Sequence, residues 1–130
     1  MSTDTAAPSR VHQSINLAAK LALIHDHWQP RVVAEMNDYQ FKIVKILGDF
    51  VWHDHADTDE TFIVLEGVLR IDMRDGAVIV RAGEMFVVPR GVEHKPCAEH
   101  EVRLMLIEPR GVANTGTLES DRRAPNDVWI

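Results

Sequence analysis

From Arg31 onward the sequence is a succession of short apolar, β-branched runs separated by turn-forming pairs, and no gap between them has room for a crossover helix. The runs are Val32 to Met36, Gln40 to Leu47, Phe50 to His55, Thr61 to Leu65, Val68 to Met73, Ala77 to Val80, Met85 to Val88 and Val102 to Ile107. Asn37-Asp38, Gly48-Asp49, Glu66-Gly67, Asp75-Gly76 and Ala82-Gly83 punctuate them. Asn, Asp and Gly tolerate the positive φ that tight turns require. Parallel pairing needs connections of about a dozen residues or more, so βαβ units are excluded. Eight short strands at hairpin spacing predict an all-β antiparallel sandwich or barrel.

The segment before Arg31 has a different character. Leu17, Ala18, Ala19, Lys20, Leu21 and Leu23 predict a short N-terminal helix, capped by Ser14 or Asn16 and ending near His25-Asp26-His27-Trp28, with Pro30 blocking its continuation. Residues 1–13 are expected to form a disordered tail, and 14–130 a single domain. After Glu108-Pro109 the chain turns polar through Asn114-Thr115-Gly116, then ends on Asp127-Val128-Trp129-Ile130. That apolar end is expected to pack on the barrel or on a second subunit, because free it would leave apolar area in water.

Chemistry concentrates in Trp52-His53-Asp54-His55. Side chains two apart in a strand share a face, so His53 and His55 can point inward together. A turn over Ala56 to Asp59 would return the Glu60 carboxylate beside them, and His94, just past Pro89-Arg90-Gly91 and at the head of another strand, could complete the set. Three imidazoles and a carboxylate suit one divalent transition metal, whether Fe, Mn, Ni, Zn or Cu, and leave one or two positions for water or a ligand. His25-Asp26-His27 repeats the spacing, but in a helical segment residues two apart diverge by about 200° on the wheel, so solvated surface histidines are expected there. Alternation adds Val51, Phe62 and Val64 as an apolar pocket wall. Asp54, Glu93 and Arg103 are the polar residues nearest the motifs, Cys97 reads as a buried inert thiol, and Trp52 alternates away from the metal, toward a sheet or subunit contact.

The residues run Gly48-x4-His53-x-His55-x4-Glu60-x6-Gly67, then Gly83-x5-Pro89-x-Gly91-x2-His94. This pair of patterns resembles the two motifs of the cupin superfamily, in detail from Gly48 to His94 and more loosely in the flanking strands. The resemblance implies a small antiparallel jelly-roll β-barrel, of the kind found in single-domain bacterial cupins with an RmlC-like fold. It also implies a metal held by His53, His55, Glu60 and His94, and a homodimer. The sequence departs from the family pattern at Gly48, one residue nearer His53 than usual, and at Ala98, where the second motif commonly ends in Asn.

Composition excludes several function classes. A net charge of −6 with no basic run offers nothing to nucleic acid or an anionic membrane. No stretch approaches the ~18 apolar residues of a membrane span. A single cysteine precludes an intrachain disulfide and fits a reducing compartment, so a soluble cytoplasmic protein is expected. Three functional classes stay open: a metal-dependent enzyme, dioxygenase-like or isomerase/lyase-like, acting on a small oxygen-containing molecule; a non-catalytic cupin that binds or senses a sugar or carboxylate; and a metal-free barrel with relic ligands. No Arg/Lys cluster or Gly-rich helix start lies near the motifs, so a neutral or carboxylate-bearing ligand is preferred to a phosphorylated one.

Overall fold

The computed structural model describes residues 12–130. The expected tail therefore falls, up to residue 11, outside the described residues. One helix, α1 (Leu17–Leu21), precedes seven strands: β1 (Arg31–Met36), β2 (Tyr39–Asp49), β3 (Glu60–Glu66), β4 (Val68–Met73), β5 (Gly76–Arg81), β6 (Met85–Val88) and β7 (His94–Pro109).

Asn16 rather than Ser14 caps α1, its side chain accepting from the Ala19 N–H at 2.9 Å. The helix stops sooner than its composition suggests. Beyond it Leu23 and Ile24 donate three residues back, to Lys20 and Leu21, which draws Ile24 into the interior and leaves Leu23 exposed. Lys45, itself buried, donates to the Ile24 carbonyl at 2.7 Å.

All strand pairs are antiparallel, in the order β1-β2-β7-β3-β6, with β4 joining β7 to β5. The axis is β7. Its C-terminal half runs between β2 and β3, and its first residues run between β2 and β4, so one strand belongs to both walls of the jelly roll. Inward residues of these walls form the barrel core, including Val44, Ile46, Phe62, Val64, Leu69, Ile71, Val102 and Leu104. Fully burying each such side chain stabilises by roughly 1.5–3 kcal/mol, so packing can hold the barrel without any ion. A second cluster, Leu21, Ile24, Val33 and Ile43, seats α1 against β1 and β2.

Two strand expectations change. The run Phe50–His55 is not a strand; only His53 makes a bridge, to His94. Gly48, at φ +82°, shifts the β2–β7 register between Ile46 and Gly48, and is a bulge inside β2 rather than a reversal. The Phe50 N–H then goes to the Pro96 carbonyl, and the chain leaves the sheet. Conversely, β7 is sixteen residues long and absorbs 94–101, ahead of the expected strand at Val102. The C-terminus packs on the barrel: Val32 donates to the Val128 carbonyl at 2.7 Å and Ile130 to the Val32 carbonyl at 3.1 Å, beside β1. No helix of the described residues is long and apolar enough to cross a membrane.

Candidate metal centre

His53 and His55 project from the loop between β2 and β3, Glu60 opens β3, and His94 opens β7. These ends meet because the two motifs are tied together. The His53 and His94 backbones exchange both hydrogen bonds, at 3.1 and 2.9 Å. The Pro89-Arg90-Gly91 turn donates from Gly91, at φ +76°, to the His55 carbonyl, and from the Arg90 N–H to Asp59, both at 2.8 Å. Turn and loop thus fix one another.

One nitrogen from each imidazole and one oxygen of Glu60 lie within 4.8 Å of one another, and all four residues are buried. Nδ1–H of His53 donates to the Val51 carbonyl and Nδ1–H of His94 to the Val92 carbonyl, each at 2.9 Å. Those bonds fix the ring orientation and leave Nε2 of both residues free to act as ligands. Nε2 of His55 and of His94 lie 3.1 and 3.3 Å from the same carboxylate oxygen, Glu60 Oε1. Nitrogen lone pairs converging on a carboxylate need a cation among them, either protons or a metal. A divalent transition metal satisfies all four donors at once, and the donor set fits it.

The electrostatics agree. Burial and the neighbouring His94 push the His53 pKa down to about 4, so this ring is a neutral donor at physiological pH. Burial opposes charge on both His55 and Glu60, but their mutual contact outweighs it, raising His55 and, with help from His94, holding Glu60 below the ordinary carboxylate range. Behind Glu60 lies a group that sequence reasoning missed. Glu108 is buried close enough to feel the Glu60 charge and pairs with buried Lys42 at 3.0 Å. Burial and the Glu60 charge push Glu108 up to about 8, against the pull of Lys42. Both lie outside the motifs, on strands whose alternation reads as ordinary; the only signal was a lysine and a glutamate at inward positions.

A cavity opens over this floor, lined by Trp28, Val44, Phe50, Phe62, Leu104 and Leu106 among others, with His53 and Glu60 at its base. Phe62 is where alternation put it. Val51 is not on the wall: once the loop leaves the sheet, Phe50 takes the inward position, edge-on to His53 at 5.3 Å, and Val51 serves through its carbonyl. Val64 is fully buried in the barrel core and does not reach the cavity.

The remaining candidates lie elsewhere. Asp54 accepts from the Thr117 hydroxyl at 2.8 Å, Glu93 pairs with Arg74 at 3.1 Å, and Arg103 sits between Glu66 and Glu101. Trp52 lies under the Arg74 guanidinium, 3.9 Å from its ring centre, and not between sheets. Burial and the charges of Asp49 and Asp72 push the Cys97 thiol up to about 11, which suits an inert group. His25 is exposed, and His27 pairs with Glu101 at 2.8 Å.

Known proteins resemble this chain in sequence and fold. A cupin-2 domain containing protein from Shewanella frigidimarina is 61% identical, with a TM-score of 0.73 over 74% of this chain and 94% of that one. Protein NMB1881 from Neisseria meningitidis is 41% identical, with a TM-score of 0.69 over 75% and 99%. The uncharacterized protein YdbB of Bacillus subtilis is 34% identical over 87 residues, which is 58% of this chain and 77% of YdbB. The cupin domain family matches residues 43–108, from the middle of β2 through Glu108, and so takes in both motifs and the strands that carry them. With that match spanning half its length, the chain belongs to the cupin domain family.

Proposed function

We propose that this cupin holds one divalent transition metal on His53, His55, Glu60 and His94 and uses it to bind and oxidise a small oxygen-containing molecule. The observation that carries this reading is a convergent donor set at the base of a cavity whose remaining wall is almost wholly apolar. When bound, a redox-active ion such as iron supplies Lewis acidity toward an oxygen ligand and a route to dioxygen. Each other part belongs to the chain. His53 and His94 are oriented through their Nδ1–H bonds, Glu60 offsets positive charge, and Phe50, Phe62, Leu104 and Leu106 exclude water around the open positions.

Oxidation is favoured over an isomerase or lyase reaction for a specific reason. Proton shuttling on a substrate needs a base that faces it. Glu108 and Lys42 bind each other behind Glu60, and neither lines the cavity. As in other barrels with open sheet edges, we place the active form as a homodimer in the cytoplasm, with a small molecule as its partner.

Elemental analysis of protein purified without a metal-affinity tag, beside His53→Ala, is the test. About one equivalent of metal in the wild type, lost in a variant with unchanged circular dichroism, is expected. Oxygen uptake that requires both iron and an oxidisable small acid would establish catalysis. Saturable binding without turnover would make this a ligand-binding cupin, and no metal after reconstitution would reduce the four residues to relics.

A further inference from the structure

Among the described residues, every arginine except Arg81 and Arg122 has a carboxylate partner. Arg81 is exposed on the outer face of β5, where water satisfies it. Arg122 is half-buried, and its only hydrogen bond from the guanidinium is a long one, 3.4 Å, to the Asp49 carbonyl. A guanidinium carries five N–H donors in a planar fork that matches a carboxylate. Half-buried and outside any ion pair, the Arg122 guanidinium has donors left to offer.

Arg122 does not itself line the metal cavity but lies against two residues of its wall. Trp28 and Phe50, both on the cavity wall, stack at 4.7 Å, and the Arg122 guanidinium lies 4.9 Å from the Phe50 centre and 5.6 Å from that of Trp28. A third lining residue, Asn114, donates to the Arg122 carbonyl at 3.1 Å, while the Arg122 N–H donates to the Ser120 hydroxyl at 3.0 Å. The main chain is thus pinned and the guanidinium rests against aromatic rings, which lowers the entropy lost when it meets an anion. Asn114 itself is spent, because its oxygen accepts from the Ala124 N–H. Beyond the metal ligands, Arg122 is what remains beside the cavity to read a polar group.

We infer that Arg122 is the specificity-determining residue of this pocket, receiving the carboxylate of a small ligand whose other end reaches the metal. The inference rests on the metal reading above and names the ligand class for it. Phe50 lies 5.3 Å from His53 and 4.9 Å from Arg122, so the guanidinium is no more than about 10 Å from a metal-ligating ring. That span suits an acid built on one ring or a short chain, with its apolar body against Phe50, Phe62, Leu104 and Leu106. A lone guanidinium offsets one negative charge, which balances a carboxylate but not a doubly charged phosphate monoester.

The test uses protein reconstituted with cobalt(II), whose visible bands report any ligand that reaches the ion, and two probes: benzohydroxamate carrying a para-carboxylate or a para-carboxamide. We expect the carboxylate to bind about ten-fold more tightly. Arg122→Ala should erase that preference and leave carboxamide binding unchanged, and Arg122→Lys should keep part of it. Arg122→Gln provides the same comparison should the alanine variant prove unstable. Equal affinities in the wild type, or a preference that survives in Arg122→Ala, overturn the inference and leave the metal reading standing. Cobalt-loaded protein whose bands respond to neither probe likewise overturns the inference alone, whereas protein that takes up no cobalt(II) overturns the metal reading and the inference with it.

Discussion

Gly116 decides whether the histidine loop keeps its place. It sits at φ +61°, and a Cβ there would overlap the Asp54 carbonyl oxygen and come within 3.2 Å of His55 Nδ1. The next residue, Thr117, closes the contact by donating its N–H to the Asp54 carbonyl at 3.1 Å and its hydroxyl to the Asp54 carboxylate at 2.8 Å. The segment after β7 is therefore a strap across the middle of His-x-His, and only a residue without a side chain lets it lie that close. Gly111 is a natural control, with φ +91° and nothing within 4 Å of its virtual Cβ. Gly111→Ala carries only the backbone cost of a left-handed residue, about 1 kcal/mol. Gly116→Ala must also push the strap off the loop. We expect it to weaken metal binding about ten-fold or more, by competition against a chelating dye, with Gly111→Ala near wild type. Equal affinities in the two variants would show that the strap does not position His55.

At the scale of strands, the sequence and the structure part company where side-chain parity was applied to chain that leaves the sheet. The four clustered residues of the candidate metal centre were legible because their spacing belongs to two linked motifs, and Phe62 because it lies inside a true strand, β3. Val51 was misread because Phe50 to His55 lacks a continuous partner: the Phe50 N–H goes to Pro96, and the Val51 carbonyl is taken by the His53 ring. The first half of β7 was legible only at its head, His94, and its continuation to Glu101 was hidden for the opposite reason. Lys95, Pro96, Glu99, His100 and Glu101 lack an apolar alternation, yet the segment pairs with both β4 and β2. Strap, Glu108 and Arg122 are long-range contacts that no local pattern encodes. A related long-range contact ties the sheet edge together: Arg110, just past β7, forks onto Glu35 of β1 at 2.9 and 3.1 Å, and Gln40 donates to the same carboxylate. Those bonds hold the Glu35 pKa below its ordinary 4.5. A carboxyl whose folded pKa is depressed stabilises fully above its unfolded pKa, and that contribution is lost as pH falls through the lower, folded value. Glu35→Gln should thus melt below the wild type at pH 7, and the two melting temperatures should converge as pH falls through the depressed folded pKa of Glu35. A gap that stays constant across this range would mean that shape, not charge, sets the contribution of Glu35.

At the scale of the whole molecule, two sheet edges are open among the described residues. β1 is flanked by the C-terminal residues, but β5 pairs only with β4 and β6 only with β3, so each presents a row of unpaired backbone groups. Large apolar side chains stand exposed beside these edges: Val68 and Ile79 on the outer face of β4 and β5, at 52% and 42%, and Met85 and Val87 on β6, at 58% and 42%. Leu47 joins the first pair across a groove that also takes in Arg70 and Arg81. An open edge together with exposed apolar residues is the combination that strand pairing or face-to-face contact between copies would cover. Net charge of −6 opposes indiscriminate aggregation and so favours a closed assembly over an open one. Sedimentation at micromolar concentration should therefore give twice the 14.7 kDa chain mass. Replacing Val68 and Ile79 together by lysine should yield monomers that still bind about one equivalent of metal, because neither residue approaches His53, His55, Glu60 or His94 and the barrel core is complete within one chain. A wild type that sediments as a monomer removes the dimer. A dimer that survives the double substitution moves the interface to β6, where Met85→Lys and Val87→Lys become the variants that must dissociate it.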